Sequence, residues 1–326
     1  VGATAMSIRQ ASLESSAIAQ HFDSQVYFTA QVMTDPNQSA SGKYSFTARL
    51  LAFESDRKHF ALRVPVRIIS QQRVELLPGQ TVRATARVVQ TNESRVAAML
   101  LVDKDFEVLT PASRWASALG AIRTGLRTHS GAGDAGALIP GMVLGDTSKQ
   151  TPEFKDQMKR SGLTHLVAVS GANFAIVSSF VLWCMQFVIK RNKYRMIATA
   201  IALTCFIALV RPSPSVLRAA AMAAVLLISY GTRRGADSLP ALGFAIALVV
   251  VGDPWQAREP GFALSVLATA VLLLYAPRVT NFFARGLPKL LAQAAAPPIA
   301  AMVFCAPVIV ALSGFLSPAS LFANLF

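Results

Sequence analysis

The chain has 326 residues, of which 53% are hydrophobic and 15% charged. That balance excludes a wholly water-soluble globular protein, because so much apolar surface needs a non-aqueous surrounding. The net charge of +14 is uneven: 14 of the 17 acidic residues and 19 of the 31 Lys+Arg lie before Leu163. The first half therefore carries about a third of the excess, and basic loops between membrane helices explain the rest without a nucleic-acid partner.

Residues 1–21 form an N-terminal segment, followed by a β-rich domain over residues 22–110. There apolar and polar residues alternate in Val26 to Thr34, Tyr44 to Phe53, Phe60 to Ile69, Thr81 to Val88 and Arg95 to Val102, the period of half-buried strands. Asp35-Pro36-Asn37 and Leu77-Pro78-Gly79-Gln80 separate them as turns. Five short strands predict a small β-barrel, with the OB type leading. The pleat places Arg63, Arg67, Arg83 and Arg87 away from the apolar face, as a candidate DNA-binding surface. Eleven Lys+Arg against nine acids between Phe22 and Thr110 is a weak electrostatic signal, and strand arginines are commonly just solvated.

Residues 111–162 read as an interfacial helix and a linker. Trp115, Leu119, Ile122 and Leu126 share one helical stripe, with Arg114, Arg123 and Arg127 away from it, the pattern of a helix lying on a membrane surface. Ala137 to Leu144 is apolar, too short to span and interrupted by Pro140-Gly141, which predicts a buried or re-entrant piece.

Residues 163–326 contain six predicted membrane segments: Leu166 to Ile189, Met196 to Val210, Val216 to Tyr230, Leu239 to Val251, Phe262 to Ala276 and Leu290 to Leu312. The predicted fold class is therefore a mainly α-helical polytopic membrane bundle preceded by the β-domain. Spans this short belong inside a bundle or beside a wet cavity. Lys190, Arg191, Lys193 and Arg195 follow the first span, Arg233 and Arg234 the third, and Arg278, Arg285 and Lys289 the fifth. Those connections are expected in the cytoplasm and the β-domain outside it. Cys184, Cys205 and Cys305 each sit in an apolar run and read as packing residues. The chain starts at Val1 without a signal peptide and stops in an apolar stretch, as expected for part of a longer protein.

The densest polar cluster of the membrane half is Thr164, His165, Ser170 and Asn173. Ala168-Val169-Ser170-Gly171 lies one residue from the Gly-x-Ser-Gly nucleophile motif of rhomboid-type intramembrane proteases. An intramembrane serine hydrolase is thus one alternative, although His165 alone would have to serve as base. The bland reading is that Ser170 and Gly171 permit close helix packing. Arg218 lies within the third span, and Asp253 is its natural partner, since buried charges are usually paired; this ion pair is favoured over a phosphate contact. No phosphate-binding loop, metal-ligand spacing or catalytic acid pair occurs, so no metal, cofactor or enzymatic activity is expected of this chain.

Pro140-Gly141-Met142-Val143-Leu144-Gly145-Asp146 and Ser161-Gly162-Leu163-Thr164-His165-Leu166-Val167-Ala168-Val169-Ser170-Gly171 resemble two ordered motifs of the ComEC competence channel family. Leu217-Arg218-Ala219-Ala220-Ala221-Met222, Gly231-Thr232-Arg233-Arg234, Gly252-Asp253-Pro254, Pro260-Gly261-Phe262-Ala263-Leu264-Ser265 and Ala323-Asn324-Leu325 follow in the family's order. Where the family usually continues Ser-Gly with a hydrophobic residue and histidine, this chain has Ala172 and Asn173. The resemblance implies passage of single-stranded DNA across the cytoplasmic membrane during natural transformation, with the outer domain handling arriving DNA. It implies as partners a surface DNA receptor, a cytoplasmic DNA-translocating ATPase and membrane lipid. Family members often carry further membrane helices and a metallo-β-lactamase-like domain, where any nuclease activity is expected. Asp146, Thr164, His165, Ser170, Asn173, Arg218, Asp253 and Ser265 are the residues expected to line or brace the path. A transporter of another polyanion or a metabolite is the remaining alternative.

Overall fold

The computed structural model describes residues 2–39, 42–55, 58–161, 163, 171–211, 214–232, 238–286 and 288–313. The chain divides into two compact units, Val1–Thr128 and His129–Phe326.

The first unit opens with helix α1 (Gly2–Glu14) and a 3-10 turn at Ala17–Gln20. Its seven strands are β1 (Gln25–Val32), β2 (Asn37–Gln38), β3 (Tyr44–Ser55), β4 (Lys58–Ser70), β5 (Thr81–Val89), β6 (Met99–Val102) and β7 (Glu107–Thr110). They form one mixed sheet in the order β1-β3-β4-β6-β5-β7, with β2 on β3 and a further pairing of β1 with β5. Every pairing is antiparallel except β4 with β6. The alternation in sequence has its physical counterpart in burial: Val26, Phe28, Ala30 and Val32 of β1 meet Phe46, Leu50 and Phe53 of β3, Val66 and Ile68 of β4, and Val82 and Val88 of β5. Each such side chain contributes about 1.5–3 kcal/mol when fully removed from water. Ile18 of the 3-10 turn enters the same core, so the N-terminal segment belongs to this unit.

β6 begins at Met99 and not at Arg95 as the alternation predicts. Val96, Ala97 and Ala98 are consecutive buried residues, which a strand with one wet face does not allow. They run beside β4 by backbone bonds from Ala97 N–H to the Pro65 carbonyl and from Arg67 N–H to the Ala98 carbonyl. The Leu77-Pro78-Gly79-Gln80 turn forms as predicted. Gly79 adopts a φ of 94°, Gln80 N–H donates to the Leu77 carbonyl, and proline then glycine at the two central positions gives the type II geometry.

Helix α2 (Arg114–His129) packs on that turn. A Cβ added at Gly120 would lie 2.8 Å from Leu77 Cδ2, so the glycine permits the close approach. Leu119 and Arg123 are buried on the same side, and Arg123 reaches Asp35 at 3.6 Å. The predicted stripe is thus divided: Leu119 faces inward, while Trp115 and Ile122 remain more than half exposed. Arg123, expected on the wet side, is buried because its carboxylate partner lies in the Asp35-Pro36-Asn37 turn.

The second unit is helical: α3 (Gly133–Leu144), α4 (Pro152–Arg160), α5 (Gly171–Val188), α6 (Asn192–Val210), α7 (Pro214–Thr232), α8 (Ser238–Gly252), α9 (Pro260–Leu274), α10 (Ala276–Phe283) and α11 (Lys289–Ser313), with a 3-10 turn at Pro254–Arg258. α4 carries a full set of end signals: Thr151 accepts from Phe154 N–H, Pro152 opens the helix, and Lys159 and Arg160 close it. Phe174 of α5, Leu203 and Val210 of α6, and Val216 and Ala219 of α7 form one apolar cluster. Ala292, Ala296 and Ala300 are buried on α11, which contains Pro297, Pro298 and Pro307 and packs on α9 and α10.

Among the described residues, α6 and the Lys289–Ala311 part of α11 are long and apolar enough to cross a membrane. α9 with α10 makes a third candidate, bent by 49°. Pro277, at the start of α10, cannot donate to the preceding turn, and a bend there follows. The described apolar stretches of the other helices, such as Ile176–Val188 and Val216–Val225, are shorter.

Asp35→Ala would remove the carboxylate beside the buried Arg123 guanidinium, at a cost of about 1–3 kcal/mol. The expected outcome is faster tryptic cleavage within residues 114–129 than in the unaltered chain, with Asp105→Ala, on an exposed loop, leaving the rate unchanged.

Candidate functional site

Strands β5, β1, β3 and β4 lie side by side, and their outward positions build one continuous face. Thr29 pairs with Arg83, Tyr27 with Thr85 and Gln25 with Arg87 across β1 and β5. Gln31 faces Arg49 across β1 and β3, and Arg49 faces Pro65 across β3 and β4. Since Arg63 and Arg67 flank Pro65 along β4, three guanidinium-bearing residues bracket one point of the surface.

The four arginines expected from sequence share this face but not one environment. Arg67 forks onto Glu93 with contacts of 2.9 and 3.0 Å, and Arg87 donates to Asp23 at 3.1 Å. Arg83 lies over the Tyr27 ring at 5.6 Å, with its Nε 3.5 Å from Thr29 Oγ1. Arg63 is exposed, as is Arg49. Exposed ion pairs such as Arg87–Asp23 are worth at most about 1 kcal/mol, so they exchange readily for a phosphate. Sequence reasoning missed Arg49 and Tyr27. The alternation in Thr47-Ala48-Arg49-Leu50 signals the outward phase of Arg49, while the 44% exposed Tyr27 gains its meaning only from the cross-strand register that brings Arg83 to it.

In the second unit, Asp146 is buried directly after α3. Gly145, at a φ of 67°, ends that helix in the left-handed conformation that glycine adopts without penalty. Gly145 N–H donates to the Gly141 carbonyl and Asp146 N–H to the Pro140 carbonyl, while Asp146 Oδ1 accepts from Ser148 N–H at 3.1 Å. Asp253 opens the 3-10 turn after α8: Oδ1 accepts from Trp255 N–H at 3.3 Å, and Oδ2 accepts from Gln256 Nε2 at 2.9 Å.

Arg218 is 4% exposed and makes no hydrogen bond or ion pair among the described residues. The Arg218–Asp253 pair expected from sequence is therefore not formed, because the Asp253 carboxylate is turned into its own cap. Ser265 is half-buried on α9, and its carbonyl accepts from Thr269 Oγ1 at 2.8 Å. Asn173 lies in the first turn of α5. Thr164, His165 and Ser170 lie outside the described residues, and with them the Ser170 nucleophile reading. Among the described residues no group of three His, Cys, Asp or Glu could hold a metal.

Gly136 sets the start of α3. A Cβ there would lie 2.4 Å from the Gly131 carbonyl oxygen, a backbone atom that cannot rotate away. Gly136→Ala is expected to cost about 1–3 kcal/mol and lower the thermal midpoint of the detergent-solubilised chain. Gly243→Ala, on α8 with nothing within 4 Å, should not lower it.

Residues 142–326 match the family model described as competence protein. The chain is similar to the ComE operon protein 3 of Bacillus subtilis (strain 168), with 27% identity over 142 residues. The match covers 43% of this chain and 18% of that relative. No solved structure matches. The matched region contains Asp146, Arg218, Asp253 and Ser265 with all the helices from α4 onward, and on this match the chain belongs to the competence protein family.

Proposed function

We propose that this chain forms the membrane channel, with its outer domain, through which single-stranded DNA crosses the cytoplasmic membrane during natural transformation. The observation that carries the reading is the family match over residues 142–326, the part that holds the apolar helices. The relative matched is much longer than this stretch, so the complete pathway extends beyond these residues.

The strand path supports an OB-type reading of the first unit. The order β1-β3-β4-β6-β5, the return pairing of β5 to β1 and the parallel β4–β6 pairing support it. Its face combines an aromatic ring, exposed guanidinium groups and hydroxyls, which suits a flexible strand held by backbone charge and base stacking. The basic loops after α5, α7 and α10 support a cytoplasmic position for those connections and an external β-unit. The exposed Trp115 and Ile122 of α2 support contact with the membrane surface. Delivery by a surface DNA receptor, and traction by a cytoplasmic ATPase, fit a chain whose residues supply no nucleotide-binding loop.

Three outcomes test the reading. In a strain lacking its own copy of the gene, the full-length protein should restore transformation. The double variant Arg49→Glu/Arg63→Glu should lower it at least tenfold while retaining normal membrane levels; unchanged transformation in this variant would remove the β-face from the path. Cysteines placed in the Lys190–Arg195 connection should react only with a membrane-permeant thiol reagent. Labelling by an impermeant reagent on intact cells would reverse the orientation.

A further inference from the structure

Arg218 is the fifth residue of α7. That helix presents Val216, Ala219, Ala220 and Ala223 to α5 and α6. At 3.6 residues per turn, Arg218 lies on the opposite side of the helix, as does Ala221, which is also buried. Among the described residues, α8 and α9 also pack closely on α7. Its Nη1 is shielded from solvent and has no hydrogen-bond partner.

A second buried polar atom in the same state is Oε1 of Gln256, in the turn between α8 and α9. α7 and α8 pack together and are joined by only the five residues 233–237, so the start of α7 and the end of α8 come to the same end of the helix pair. Gln256 Oε1 is thus a second unused polar atom, in the turn that follows α8.

Burying a guanidinium without a counter-charge is unfavourable by several kcal/mol, and Asp253, the partner expected from sequence, accepts hydrogen bonds within its own turn. The missing partner is an anion. Planar guanidinium groups match the paired oxygens of a phosphodiester. We infer that Arg218 is a phosphate-binding residue of the channel, engaging one backbone phosphodiester of the passing strand. The inference rests on the single-stranded DNA reading proposed above.

The test uses the full-length protein in phosphatidylcholine nanodiscs and a labelled single-stranded oligonucleotide titrated at several salt concentrations. Arg218→Gln should weaken binding about tenfold and reduce the slope of log affinity against log salt by about 0.7, the share of one phosphate on a single strand. Arg218→Lys should keep the slope. Arg218→Met should bind as poorly as Arg218→Gln yet melt no lower than the unaltered protein, because it removes an uncompensated buried charge. An unchanged slope in folded Arg218→Gln would overturn the assignment, as would a large loss of thermal stability in Arg218→Met, which would mark a structural or lipid-headgroup partner. Absence of any oligonucleotide binding by the unaltered protein would instead overturn the DNA reading itself, and the assignment with it.

Discussion

Strand β1 is hydrogen-bonded along both edges, to β3 on one side and β5 on the other, and the first unit depends on this double pairing. It brings the start of the β-region against its later strands, so that Val26, Phe28, Ala30 and Val32 sit at the centre of the core. It also orders the outer face, since Tyr27 and Thr29 can meet Arg83 only because β5 returns to β1. Long-range pairing of this kind must overcome considerable chain entropy, and the aromatic contacts of Phe53 with Phe60 and His21 join β3, β4 and the segment before β1.

Two buried arginines show how differently the units treat charge. Arg123 is answered from within the chain by Asp35, and the pair ties α2 to a turn at the edge of the sheet. Arg218 has no such answer among the described residues. A paired buried charge specifies which surfaces dock; an unpaired one leaves interaction energy available to a visitor. Membrane proteins keep ionisable groups at depth chiefly where they face partners or water, and Arg218, among apolar helices, is the exceptional residue of its unit.

The strands were legible because period-two burial leaves its mark on every second residue, and the Pro-Gly turn because its chemistry is local. The register was not: nothing in the spacing of Tyr27 and Arg83 says that they stack, and the outer face became specific only through pairing. Helix α2 is legible from its apolar stripe, but the inward turn of Leu119 and Arg123 is not, because the small residue Gly120 carries the docking on the Leu77 turn. In the second unit the apolar runs marked the helices, whereas the bend at Pro277 and the local engagement of Asp253 were settled by backbone geometry. Buried charges are usually paired, which makes an Arg218–Asp253 pair attractive from sequence; the Asp-Pro turn uses that carboxylate locally.

The three prolines of α11 have a mechanical consequence. Their ring nitrogens cannot donate to the carbonyls of Gln293, Ala294 and Val303, one turn earlier, so the longest helix of the unit is braced by fewer internal bonds at two levels. Stiffness along α11 is thus uneven: firm on the alanine side, where Ala292, Ala296 and Ala300 are packed, and compliant at the proline levels. A rod with two soft joints yields there first under load, so bending of α11 itself is least costly at the proline levels.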